Sequence, residues 1–234
     1  MKKEIALQPR IAPLEPPFTP EAADELARWQ PGDFAPIALF RTLVRHLPLA
    51  HAMYPLGHYF LGPSSSLKVR DREIVIDRVC AQCGCEYEWG VHARIFGGAA
   101  GFDDAQLAAS VAQDCDAQCW TDAERLLIRM VDELHDSGRL TDDLWTSMAA
   151  RWSPEQLLEL IVLAGWYHTI SFVANGAQVP LEQWGKRSIP KVRRLSVDSH
   201  CTPTIAGPEA DRLSSSTELA ERTSRRESDG GELQ

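Results

Sequence analysis

The sequence has no stretch that alternates apolar and polar residues, and without that period-two signal a sheet has nothing to tell one face from the other. It also lacks an uninterrupted apolar run of the roughly 20 residues a membrane-spanning helix needs. The most apolar segment, Leu157 to Val173, is broken by Glu159, Tyr167, His168 and Ser171. Met1 to Pro9 holds no apolar core of a signal peptide, so cytoplasmic residence is the expectation and the six cysteines are expected to be reduced. Positive charge is scarce: 24 Lys and Arg against 33 Asp and Glu give a net charge of −9. Phosphate contacts need a concentrated positive surface, so a nucleic-acid partner is disfavoured. The one basic cluster, Lys186, Arg187, Lys191, Arg193 and Arg194, reads as a solvated segment leaving the last helix. No short-period repeat is present.

What is there reads as helix. The prolines Pro9, Pro13, Pro16 and Pro17 make residues 1–18 an extended, proline-rich arm. Thr19-Pro20-Glu21 supplies a cap, a first-turn proline and an early acid for a helix to about Trp29. A second helical stretch runs from Ala35 to Leu47, and a third apolar segment continues past Pro48 to Phe60. The loop Gly62 to Ser66 precedes a helix through Arg70 to Val79, and Asp103 opens a short helix to Val111. Thr121 to Glu124 has the form of a capping box, with Leu126, Leu127, Met130, Val131 and Leu134 at helical spacing behind it and Gly138 at its end. Thr141 caps a helix to Ala150; Ser153-Pro154 starts a long one to about Ala174, with Asn175 at its end. The fold expected is all-α, built of antiparallel helical hairpins over residues 19–190. Residues 191–234 form a basic segment and then a Ser-, Glu- and Arg-rich tail too poor in large apolar groups to offset the entropy of ordering.

Chemistry concentrates in Gly84-Cys85-Glu86-Tyr87-Glu88-Trp89-Gly90-Val91-His92. On a helix, Cys85, Glu88 and His92 at i, i+3 and i+7 share one stripe. Gly84 marks a break, which places Cys85 in the first turn, where unpaired N–H groups and the macrodipole favour a thiolate. Glu73, on the preceding helix, would reach the stripe if the two helices fold back at Gly84.

With these residues the chain resembles the carboxymuconolactone decarboxylase family, which includes the alkylhydroperoxidase D-type reductases. The shared pattern is a Glu, a Cys twelve residues on, a second Cys three later and a His four beyond, then a small-residue helix end such as Gly97 to Phe102. Glu73, Cys85 and His92 match it, and Glu88 stands where the second cysteine would be. The resemblance is best between Leu67 and Leu107, is weaker through Ala164 to His168, and does not extend to the tail. It implies an alkylhydroperoxidase D-like helical fold, a homo-oligomer, a small-molecule substrate and catalytic positions Glu73, Cys85, Glu88 and His92. Losing the second thiol removes the partner for an intramolecular disulfide.

Three functions follow. The first is acid/base chemistry on a small organic acid or lactone, with His92 as acid/base, Glu73 orienting it, Glu88 as second carboxylate and Cys85 as auxiliary donor. The second is a peroxide or disulfide reductase (a peroxiredoxin-type activity) through Cys85, with Cys83 as resolving thiol. The third is a non-catalytic helical scaffold, favoured if Glu73, Glu88 and His92 are exposed and apart. Substrate contacts are assigned to Tyr87, Trp89 and His168, with Tyr167 facing the same pocket and Arg94 and Arg78 available for a carboxylate. Trp89 reads equally as a core anchor. No cofactor and no metal are expected: Cys80, Cys83, Cys115 and Cys119 have poor zinc spacing, and the first two read as packing residues.

Overall fold

The computed structural model describes residues 8–112 and 117–187. Among them there are ten α-helices, a 3-10 turn at Val44–His46 and no strand. The helices are α1 Pro20–Trp29, α2 Ala38–Leu43, α3 Leu47–Leu61, α4 Val69–Gln82, α5 Glu86–Ile95, α6 Gly97–Ala100, α7 Asp104–Val111, α8 Asp122–Ser137, α9 Asp142–Ala149 and α10 Pro154–Ala177. Capping residues set most starts. Thr19 accepts from the Ala22 N–H, and Asp103, Thr121 and Ser153 each close a reciprocal box with Gln106, Glu124 and Gln156. Thr141 precedes α9 without such a bond.

Helix α4 is the centre. It packs against α5, α7, α8 and α10, and every residue from Arg72 to Cys80 is buried. A helix enclosed on all sides must neutralise its own charges. Arg78 forks onto Asp132 at 2.6 and 2.9 Å, and Arg72 donates to Glu73 at 2.8 Å and to the Phe60 carbonyl at 3.2 Å. Asp77 is the exception: neither carboxyl oxygen has a partner, and burial, followed by the charge of Glu73, pushes its pKa well up, so it stays neutral.

The α4–α5 reversal is a Schellman motif. Gly84 adopts φ +59°, the Cys85 N–H bonds the Cys80 carbonyl at 2.8 Å and the Gly84 N–H bonds that of Ala81 at 3.0 Å. Cys85 therefore sits just before α5 as its cap rather than within the first turn. Across α5, the Lys186 N–H donates to the Gly90 carbonyl at 3.0 Å, and a Cβ on Gly90 would run into the Lys186 carbonyl.

Several boundaries differ from the sequence reading. The second helical stretch begins at Ala38 rather than Ala35, tightens to a 3-10 turn and passes directly into α3, where Pro48 occupies a first-turn position. Helix α10 continues through Asn175 to Ala177 and ends at Gln178, a non-glycine residue at φ +53°. Asn175 faces α4 instead, its amide donating to the Cys83 carbonyl at 2.9 Å. The apolar run is also longer than expected: by length and composition α10 could cross a membrane, and half of its most apolar window is buried within the fold. Its Glu159 accepts from Ser65 and Ser66, which fastens the helix to the loop before α4. Of the proline-rich arm, Arg10 and Ile11 donate to the Ala177 carbonyl and Leu14 to that of Arg41. The tail, with Lys191, Arg193 and Arg194 of the basic cluster, lies outside the described residues.

Candidate active site

The α4–α5 hairpin brings the upstream acid to the motif. Glu73 and His92, nineteen positions apart, meet at 2.7 Å between Oε2 and Nδ1, both almost fully buried. The other oxygen of Glu73 takes the Arg72 bond, so this carboxylate is fixed from two sides. On the far edge of the ring, His92 Nε2 lies 3.2 Å from the Tyr167 hydroxyl and 3.5 Å from Glu88 Oε1. Phe96 lies beside the imidazole and Tyr167 stands perpendicular to it, with ring centres 5.1 Å away in each case.

The electrostatics follow from that enclosure. Burial disfavours the charged ring, but the charge and hydrogen bond of Glu73, helped by Glu88, outweigh it and push the His92 pKa up to about 10. His92 is then an imidazolium at neutral pH, donating Nδ1–H to Glu73 and presenting Nε2–H to the other side. Tyr167 stays a phenol, its pKa raised well up by burial and by the charges of Glu88 and Glu73. Glu88 Oε2 is buried without a partner.

A cavity of about 750 Å³ opens on this edge, and His92, Glu88 and Tyr167 line it. The rest of the wall is largely apolar: Trp29, Phe40 and Tyr54 from the N-terminal helices, Phe96 from the end of α5 and Trp166 from α10. Arg94, exposed two residues past His92, belongs to the wall as well. The hollow thus combines an apolar body with three polar groups at one place.

Cys85 does not line this cavity. It is 0% exposed, and burial, reinforced by the charge of Glu88, pushes its pKa up to about 12 despite the nearby Glu88 backbone N–H. The thiolate expected from its position at a helix start does not form, because desolvation exceeds the help of the helix terminus. Glu73 also stays behind the imidazole, so the stripe splits into an edge that meets the cavity and an end sealed in the core.

The assigned substrate contacts need correction. Tyr87 points away: its hydroxyl donates to Glu182 at 2.9 Å and accepts from the Leu39 N–H at 3.0 Å. Trp89 is a core anchor whose indole donates to Ser110 at 2.9 Å. His168, one residue past Tyr167, is turned about 100° around α10 and meets His135 instead. Arg78 is consumed by Asp132. Tyr167 and Arg94 do line the cavity, and the aromatic wall from α1 to α3 is the part that the motif did not announce. Cys80 is fully buried, its thiol pushed well up, while Cys83 gathers with His135 and His168; Cys115 lies outside the described residues.

Residues 48–132 match the model of the carboxymuconolactone decarboxylase family. No curated protein matches the chain. Among solved structures, a protein of unknown function from Agrobacterium tumefaciens, named as a candidate antioxidant defence protein AhpD, shares 21% identity over 59% of this chain and 94% of its own, with a TM-score of 0.53. A peroxidase-related protein from a Silicibacter species shares 13% identity over 74% and 90%, TM-score 0.60. The alkylhydroperoxidase AhpD core of a peroxidase-related protein from Ralstonia eutropha shares 12% over 79% and 100%, TM-score 0.63. Identities this low speak for the fold, which is the alkylhydroperoxidase D-like helical architecture.

Proposed function

We propose that this chain performs acid/base chemistry on a small organic acid or lactone bound in the apolar cavity, a reading supported by the match of residues 48–132 to the carboxymuconolactone decarboxylase family model. The observation that carries this reading is the buried Glu73–His92 pair, 2.7 Å long, whose free imidazole edge meets the cavity between Tyr167 and Glu88. In a decarboxylation the bond from carbon to the carboxylate breaks and its electron pair passes to an adjacent carbonyl, forming an enolate. His92 Nε2–H and the Tyr167 hydroxyl are the donors that would stabilise the enolate oxygen, against a largely apolar wall. CO₂ leaves, and the carbon takes up one proton from the charged His92, which would regain it from solvent through the cavity, with Glu88 beside Nε2 as the second carboxylate of the site. Glu73 is a positioning residue, holding the ring charged and oriented. Arg94 at the wall suits the substrate carboxylate that is retained.

A peroxide-reducing activity through Cys85 is the weaker reading. The names of the Silicibacter and Ralstonia neighbours point to it, but a buried, protonated thiol without a second cysteine at position 88 is a poor nucleophile. The scaffold reading loses its condition, since Glu73, Glu88 and His92 are buried together. The deciding experiment measures CO₂ release from a panel of small lactone acids and keto acids. His92→Gln is expected to lower turnover by about 10²–10⁴-fold while Cys85→Ser keeps most of it. Equal loss in both variants overturns the acid/base scheme, and peroxide-dependent loss of one free thiol, abolished in Cys85→Ser, establishes the other.

A further inference from the structure

On the side of α10 away from the cavity, three helices bring Cys83, His135 and His168 together, with Sγ and one ring nitrogen of each histidine all within 4.8 Å of one another. Cys83 caps the C-terminal end of α4, His135 lies in the last turn of α8, and His168 lies in the body of α10. Cys83 and His168 are half-buried and His135 is exposed, so the cluster is open to solvent on one side.

The hydrogen bonding fixes what each ring offers. His168 Nδ1 is 2.8 Å from the Ala164 carbonyl, and a carbonyl only accepts, so Nδ1 carries the proton and Nε2 has its lone pair outward. That lone pair points at His135 Nδ1, 2.9 Å away, with the two rings stacked at 5.2 Å between centres. A histidine whose far nitrogen is locked by a backbone carbonyl is the outer arrangement that metal-bound imidazoles use. The Asn175 amide holds the Cys83 carbonyl at 2.9 Å, which fixes the α4 cap against α10.

We propose that Cys83, His135 and His168 bind one divalent transition-metal ion of borderline softness, Zn²⁺ being the representative, with a fourth position left to solvent. One sulfur and two imidazole nitrogens suit such an ion, and no carboxylate is among the three atoms to favour Mg²⁺ or Ca²⁺. Tetrahedral bonds of about 2.0 Å to nitrogen and about 2.3 Å to sulfur place neighbouring ligand atoms roughly 3.3–3.6 Å apart. The imidazole nitrogens must therefore open by a few tenths of an ångström and the sulfur must close by about 1.3 Å at most, movements within reach of side-chain rotation. A histidine–histidine hydrogen bond accounts for the 2.9 Å contact but not for a thiol at the third corner. Bound metal would tie the ends of α4 and α8 to α10, two residues from Cys85, and would withdraw Cys83 from any exchange with that thiol.

The test uses the full-length, reduced, metal-free protein titrated with Co²⁺. One equivalent is expected to produce a thiolate-to-cobalt charge-transfer band in the near ultraviolet and the intense visible bands of a four-coordinate ion, both erased by Zn²⁺. Cys83→Ser should lose the near-ultraviolet band, and His135→Gln and His168→Gln should each weaken binding by about tenfold or more. Far-ultraviolet circular dichroism checks that each variant is folded. Absence of the charge-transfer band at one equivalent, or the same band at the same affinity in folded Cys83→Ser and both histidine variants, overturns the proposal.

Discussion

Two histidines of this protein, His92 on α5 and His168 on α10, differ in every respect that matters chemically. His92 is 3% exposed, clamped by Glu73 and charged; His168 is half-buried, bonded to a backbone carbonyl and facing another imidazole. Neighbouring positions on α10 serve both: Trp166, Tyr167 and Ile170 face the cavity, whereas His168 and Phe172 turn to the other side. A buried carboxylate makes the first ring an acid, and its absence leaves the second a lone-pair donor. The same contrast divides the α4–α5 hairpin, whose imidazole edge meets the hollow while its thiol end is sealed.

The largest difference should appear on removing what clamps each ring. Glu73→Ala leaves His92 and Arg72 buried without their partner and is expected to cost about 3–5 kcal/mol in urea unfolding. His168→Ala, on the open side, should cost less than about 1 kcal/mol in metal-free protein. Similar losses at both positions would erase the contrast. Next comes Gly90→Ala: its Cβ meets the Lys186 carbonyl, so the segment around Glu182 to Lys186 must shift, at about 1–3 kcal/mol. Because Glu182 accepts from Tyr87 and from the Ala38 N–H at 2.6 Å, that shift should also loosen α2 in hydrogen exchange. The smallest effect is expected at Asp77→Asn. Asp77 is already neutral, so the amide should change stability by less than about 1 kcal/mol, and a loss of several would mean that the carboxyl is ionised.

Much of the scaffold was legible because caps and breakers act locally: Thr19, Asp103, Thr121 and Ser153 start helices, and Gly84 and Gly138 end them at positive φ. The Glu73–His92 meeting could be read from spacing plus one turn. The cavity could not, since its wall comes from helices more than 60 residues apart in sequence, such as Trp29 and Trp166. Tyr87 and Trp89 show the limit of proximity in sequence: successive helical residues diverge by about 100°, so neighbours of a reactive group seldom share its face. The protonated state of Cys85 was likewise hidden, because a helix start favours the thiolate and only the packed core reveals the larger desolvation.

The charge of His92 also sets a pH dependence. Its folded value near 10 lies above the ordinary value of about 6.5, so the stabilisation is complete below about pH 6.5 and is lost as pH rises through 10. Nitrogen-15 NMR of the imidazoles at pH 8 tests the central claim most directly. The account predicts that His92 carries protons on both nitrogens there; a neutral ring with a single protonated nitrogen would contradict it.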